Sequence, residues 1–204
     1  MITGLSQLFG AFEHYPSSPS AVATGYTLVN TQLNPIDTFN DPASVILFDK
    51  INIGITWGEK FALKALSHRS AVVAGSLNNW YLSAGASIIG DKLYSETIWG
   101  FVTGKQIKKR LVLGASIMVY DLKIKHYGQD RSVGINLGWR AGLNENINWF
   151  GSLKNINAPT IGQSNELLPQ VISSGLLYDP SEKLNLVIEW EQETLHESRI
   201  KFGG

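Results

Sequence analysis

RSVGINLGWRAGLNENINWFGSLKNI, running from Arg131 to Ile156, alternates between two kinds of side chain. Val133, Ile135, Leu137 and Trp139 fall on one face of its first half, with Ser132, Gly134, Asn136 and Arg140 on the other. After a polar interruption the order resumes: Ile147, Trp149 and Leu153 stand against Asn148, Ser152 and Lys154. Successive side chains of a strand point to opposite faces, so a period of two joined by a turn reads as an antiparallel hairpin. The fold turns on where the apolar face looks, toward a protein interior or toward lipid.

The same alternation recurs along the chain from Ile51 onward. INIGITW sets Ile51, Ile53, Ile55 and Trp57 against Asn52, Gly54 and Thr56; WYLSAGASI sets Trp80, Leu82, Ala84, Ala86 and Ile88 against Tyr81, Ser83, Gly85 and Ser87. LNLVIEW repeats it with Leu184, Leu186, Ile188 and Trp190 opposite Asn185, Val187 and Glu189. LVLGASIMV, at 111–119, is apolar on both faces near its start, and segments 71–77, 93–102 and 170–178 alternate less cleanly but have strand length. Turn signals follow at NN (78), GDK (90), GKQ (104), YGQD (127), GLNEN (142) and DPSEK (179). No proline falls inside a proposed strand, Pro169 being nearest, at an entry point. The expectation is an all-β antiparallel up-and-down meander of about nine to ten strands over residues 49–204, with a short-turn rim and a rim of longer connections at 58–70 and 157–169. Residues 1–48 differ. Pro16, Pro19, Pro35 and Pro42 stand among Ser, Asn and Asp with no sustained period, which reads as a loop-rich segment with one short helix near its start.

Composition narrows the class. The 204 residues carry no net charge, which excludes the basic surface of a nucleic-acid binder, and the absence of cysteine removes disulfides and thiolate chemistry. Charged residues make up only 17% against about 25% in a typical soluble domain. No run approaches the roughly 18 apolar residues of a membrane-spanning helix, so any span is a β-barrel. The first basic residue is Lys50, so the chain shows no signal-peptide n-region, and an export signal would lie outside it.

Three features favour lipid over a protein interior. Trp57, Trp80, Trp139, Trp149 and Trp190 all lie in the apolar register near strand ends, where an indole suits the membrane interface as a girdle. The opposite face is Gly, Ser, Asn and Thr with Arg140, Lys154, Glu189 and Glu191, as a hydrated or plugged lumen requires. Strand lengths cluster near the roughly 9–11 residues of a tilted transmembrane strand. The other reading is a soluble β-barrel or sandwich, apolar face inward, binding a lipophilic ligand or a protein partner.

SSPSAVATGYTLVNTQLNPIDTFNDPASV, followed by RLVLGASIMVY, LKNINAPTIG and LLYDPSEKLNLVIEWE, resembles the PorV and PorQ branch of the FadL-like outer-membrane β-barrels. The resemblance implies a lumen occupied by an amino-terminal hatch bearing an Asn-Pro-Ala element. The corresponding place here reads Asn40, Asp41, Pro42, Ala43, with Asp41 standing where that element has Asn unless Asn40 serves. It further implies no catalysis, no cofactor, outer-membrane localisation, and as partners membrane lipid together with secretion-system components and exported cargo, or else hydrophobic small molecules in transit. Family barrels close with about fourteen strands, so the present pattern is either the amino-terminal part of a longer barrel or a smaller closure.

The remaining clusters read as non-catalytic. EWEQE aligns Glu189, Glu191 and Glu193 on one strand face, pointing in parallel as a solvated lumen or rim does, and not converging as glycoside hydrolysis requires. His14, His68, His126 and His196 show no metal-ligand spacing, and no G-x-S-x-G elbow is present. GKQIKKR gathers Lys105, Lys108, Lys109 and Arg110 around a turn, either hydrated or touching lipid phosphates. Arg140, Lys154 and Glu189 are set to pair across a lumen, where they either hold a hatch, set selectivity, or satisfy one another.

Overall fold

A computed structural model describes residues 10–13, 16–29, 34–59, 62–181, 184–194 and 196–204. Ten strands form one antiparallel sheet in chain order: β1 (Asn52–Glu59), β2 (Ser67–Leu77), β3 (Trp80–Gly90), β4 (Tyr94–Lys108), β5 (Leu111–Ile124), β6 (Gly128–Gly142), β7 (Ile147–Lys154), β10 (Val171–Ser181), β11 (Leu184–Glu193) and β12 (Arg199–Gly203). Two-residue strands β8 (Thr160–Ile161) and β9 (Glu166–Leu167) pair with each other in the connection between β7 and β10. The fold is therefore an up-and-down meander. Among the described residues no ladder joins β1 to β12, so hydrogen bonding does not close the sheet on itself.

The connections at one rim are short. Asn78 and Asn79, both with positive φ, make the two-residue β2–β3 turn, a conformation that matches the twist of the flanking strands and that Asn tolerates. Lys109–Arg110 joins β4 to β5, and residues 143–146 join β6 to β7. The opposite rim carries residues 62–66, 91–93, 125–127, 155–170, 194 and 196–198. The last two residues of the expected DPSEK turn, 182 and 183, lie outside the described residues, as does His14.

Two turn expectations need correction. GKQ at 104 is inside β4, and the hairpin tip is five residues further on. Gly104 is there for a close approach, because its missing side chain leaves room for Val45 and Ile46. Likewise Pro180 lies within β10, contrary to the expectation that no strand interior holds proline. It is tolerated because the register skips there from Tyr178–Leu186 to Ser181–Leu184, and because β7 pairing has already stopped at Tyr178, so the missing N–H breaks no ladder.

The sheet wears its apolar face outside. Ile53, Ile55 and Trp57 of β1, Trp99 and Phe101 of β4, Leu113 and Ile117 of β5, Val133, Ile135 and Leu137 of β6, Leu176 of β10, Ile188 and Trp190 of β11, and Phe202 of β12 are all exposed. The inward face holds Ser70, Ser83, Ser87, Ser116, Asn136, Ser152, Ser173 and Glu189, all buried. What buries them is the amino-terminal segment. Among its described residues it has no strand: a five-residue helix α1 (Pro19–Ala23) is followed by two 3-10 helices, η1 (Pro35–Phe39) and η2 (Pro42–Leu47). Each starts with a side-chain cap and a proline at its first position, Ser18 before Pro19, Asn34 before Pro35 and Asp41 before Pro42. Proline supplies the fixed φ and the cap satisfies an N–H, so this segment folds into three short helical turns where the sequence suggested loops with one short helix near the start.

Trp80 opens β3, Trp57 is near the end of β1, and Trp139 and Trp149 meet at a 59° tilt with ring centroids 5.5 Å apart. Trp190 stands three residues before the end of β11, as Trp139 does before the end of β6. It shares a register row with Trp139, through Gly151 and Ser174, and the same row reaches Lys105 through Leu113. Trp57 belongs to the row of Arg69 and Ile88, eight residues along β3 from Trp80, or roughly 26 Å at the strand rise.

Candidate functional site

The inward residues converge on the amino-terminal segment, which acts as a plug. On the β4–β5 side the contact is apolar. Phe12, Ile36, Phe39 and Val45 pack with Val72, Ile98, Val102, Met118 and Tyr120 of the wall and with Ile161 and Leu168 from the β7–β10 connection. In LVLGASIMV the inward Met118 is fully buried against the plug, as is Tyr120 just beyond the run. Phe12 meets Tyr120 edge-on, with centroids 5.0 Å apart. Glycine sets the approach distance, since a Cβ on Gly114 would collide with the backbone of Pro42 and Ala43, and one on Gly138 would lie 2.9 Å from the Ala43 nitrogen.

On the β6, β7, β11 and β12 side a smaller apolar cluster, Leu28 and Val29 with Phe150 and Val187, stands among polar contacts. Asp41 caps η2 through Oδ1, which accepts from Ala43 N at 3.0 Å, and its Oδ2 accepts from Arg140 Nε at 2.9 Å and Nη2 at 2.6 Å. Its neighbour Asn40 has every side-chain group engaged. Nδ2 donates to the Pro16 carbonyl at 2.6 Å, Oδ1 accepts from Lys154 Nζ at 2.9 Å, and its backbone carbonyl accepts from Ser152 Oγ at 3.1 Å. Asn40, Asp41, Pro42 and Ala43 therefore all lie against β5, β6 or β7. Further along, Glu189 Oε2 accepts from Leu28 N at 2.6 Å, and Lys201 Nζ donates to the Tyr26 carbonyl at 3.0 Å and to Glu191 Oε2 at 2.6 Å. Lys201 also lies 3.4 Å from Glu189 Oε1.

Arg140, Lys154 and Glu189 thus each reach the plug. Glu189 and Glu191 need correction as solvated groups: Glu189 has no exposure at all, and Lys201 together with the Leu28 N–H compensates its charge. Glu193, third in the row, pairs with Arg199 at 3.3 Å and lies 3.1 Å from His196 Nδ1 at the long-connection rim. His68 faces inward against Gly58, and His126 occupies the β5–β6 turn with positive φ.

Sequence reasoning passed over three residues. Lys201 stands in the short SRIKFGG tail, whose five-residue strand gave too little pattern to assign a face. Asp37 accepts from Ser18 N at 3.0 Å and Ser18 Oγ at 2.7 Å, holding α1 to η1, and nothing in its sequence context marks that role. Asn155 has a buried side chain at positive φ that accepts from the Tyr120 hydroxyl at 2.8 Å and donates to the Pro169 carbonyl at 2.8 Å; its N–H donates to Asn136 Oδ1. A lone Asn ending a strand, before a further Asn, was the available signal.

Every charge in this assembly is matched by another protein group, as burial demands. A cavity of about 210 Å³ remains between the plug and β10–β11, lined in part by Val29, Arg140, Leu177 and Asp179. That is below the roughly 300–1,000 Å³ of small-molecule pockets. Among the described residues no group of three His, Asp or Glu side chains is arranged to hold a metal ion. The chain matches no protein-family model, no curated protein and no solved structure. The PorV and PorQ resemblance therefore rests on the residues quoted for it.

Proposed function

We propose that this chain is a non-catalytic outer-membrane β-barrel protein whose sealed lumen makes it a membrane-embedded platform for protein partners, as the resemblance to the PorV and PorQ type IX secretion barrels implies. The observation that carries the reading is the inverted sheet: ten strands with Ile, Leu, Val and Trp outside, and Ser, Asn, Gly and paired charges inside. Water-soluble chains rarely expose contiguous apolar patches beyond a few hundred Å², whereas acyl chains match such a surface and the polar interior satisfies itself. In a bilayer the outer edges of β1 and β12 have to be paired, because each unbonded backbone group there costs several kcal/mol. The two strands run antiparallel, as edges that pair in a barrel do.

A platform is favoured over passage of hydrophobic molecules because the plug is fixed on both sides, by an apolar cluster and by the Asp41, Asn40 and Leu28 contacts. Cell fractionation tests the first part. The protein should pellet with membranes, require detergent for extraction, and migrate faster on gels unheated than boiled. Recovery in the soluble fraction with no heat-dependent mobility would refute it. Deletion tests the second part: exported surface proteins should be lost or mislocalised, whereas normal export with impaired uptake of hydrophobic compounds would favour passage.

A further inference from the structure

We propose that the β4–β5 hairpin is a docking site for the phosphate of anionic phospholipids at the short-turn rim, an inference that rests on the membrane reading above. A β-bulge is the device that builds it. Lys105 stands opposite Leu113, an outward position, and Gln106 opposite Val112, a buried one. Strict alternation would send Lys108 inward with Gln106. Instead the register skips Ile107 and sets Lys108 opposite Leu111, which shares the parity of outward Leu113. Two ammonium groups therefore stand on the lipid-facing side of one strand, with Lys109 and Arg110 at the tip just beyond them.

Their surroundings fit a headgroup. Lys105 Nζ lies 4.8 Å from the centroid of the Trp80 ring, and its register row continues through Leu113 to Trp139, each two or three residues from the short-turn end of its strand. The row thus puts a cation beside indoles at the edge of the apolar band, where phosphates lie. The Arg110 carbonyl accepts from Gly142 N at 2.9 Å and its side-chain stem lies over Gly142, while Gln106 Nε2 donates to the Lys109 carbonyl at 2.9 Å, so the tip is held in place. All four cations are exposed, and among the described residues none has a carboxylate within ion-pair distance. By contrast Arg131, Arg140, Arg199 and Lys201 are each paired. Short turns mark the periplasmic rim of outer-membrane barrels, so the leaflet met here is the phospholipid one.

The full chain is reconstituted in phosphatidylcholine vesicles containing either brominated phosphatidylcholine or brominated phosphatidylglycerol, with tryptophan emission as readout. The wild type should reach half-maximal quenching at a mole fraction about fivefold lower for the anionic lipid. A Lys105→Gln/Lys108→Gln/Lys109→Gln/Arg110→Gln variant should be quenched equally by both. Equal quenching in the wild type, or a preference surviving in the variant, would overturn the site. Absence of quenching by either brominated lipid would overturn the membrane reading itself. Inorganic phosphate should compete no better than chloride at matched ionic strength, and selective competition by phosphate would overturn the lipid assignment.

Discussion

Replacing Arg140 by Ala should loosen the plug by an amount that the geometry sets. Asp41 is 1% exposed and the guanidinium 19%, and both of the guanidinium's hydrogen bonds go to the single atom Oδ2. Without Arg140 that oxygen keeps its charge and loses its donors, while Oδ1 stays bound to Ala43 N. Breaking a buried pair from one side costs about 3–5 kcal/mol, and the partial exposure of Arg140 argues for the lower end, about 3 kcal/mol. At roughly 2–4 °C per kcal/mol for a chain of this size, the transition should fall by about 6–12 °C. The assay follows the heat-modifiable gel band against temperature in detergent micelles, together with protease cleavage in residues 16–48. Asp41→Asn keeps the side chain's shape and an Oδ1 for the cap, so Asp41→Ala should be worse than Asp41→Asn by about 1 kcal/mol. The Arg140→Ala/Asp41→Ala double variant should recover much of the summed loss. Strictly additive effects, with coupling below about 0.5 kcal/mol, would mean the ion pair does not hold the plug, and the reasoning would fail.

Other changes probe independent parts of the structure. Ile117→Arg, on the outward face in the middle of β5, should destabilise the reconstituted protein by about 2–4 kcal/mol at the bilayer midplane, as measured by refolding titration in vesicles; a neutral or stabilising effect would point to water outside the sheet. Gly114→Val should push the Pro42–Ala43 backbone off β5 at a cost of about 1–3 kcal/mol, read as faster proteolysis of the plug with intact strand content by circular dichroism. Lys201→Met should destabilise more than Glu189→Gln, because the first leaves Glu189 charged and buried while the second keeps an acceptor for Leu28 N; the reverse order of melting temperatures would contradict the assignment. Tyr120→Phe strips a hydroxyl from Asn155 in a dry interior and should cost about 1–3 kcal/mol by thermal melting.

The strands were legible because a two-residue period survives even when the polar and apolar sides are exchanged between inside and outside. Which side faced out was legible only from secondary cues, chiefly the scarcity of charge and the tryptophans in the apolar register. Gly104 shows where local reading stops. A glycine beside Lys and Gln looks like a turn, and only Val45, some sixty residues earlier in the chain, explains why it lies in mid-strand. Arg140, Lys154 and Glu189 could be picked out as charges on a polar face, but their partners could not. Asp41, Asn40 and the Leu28 N–H lie in a segment without periodicity, and the strand pattern carries no information about which inner residue meets which part of it.

The polar anchorage has a consequence for the order of assembly. The contacts of Leu28 with Glu189 and of Tyr26 with Lys201 close loops spanning 161 and 175 residues, whereas the larger apolar cluster of the plug needs only strands up to β5 and the connection after β7. Long-range closure is slow because chain entropy is lost before the contact forms. The plug should therefore seat first against β4 and β5 and be latched later by β11 and β12, so that it stays unlocked until those two strands have joined the sheet.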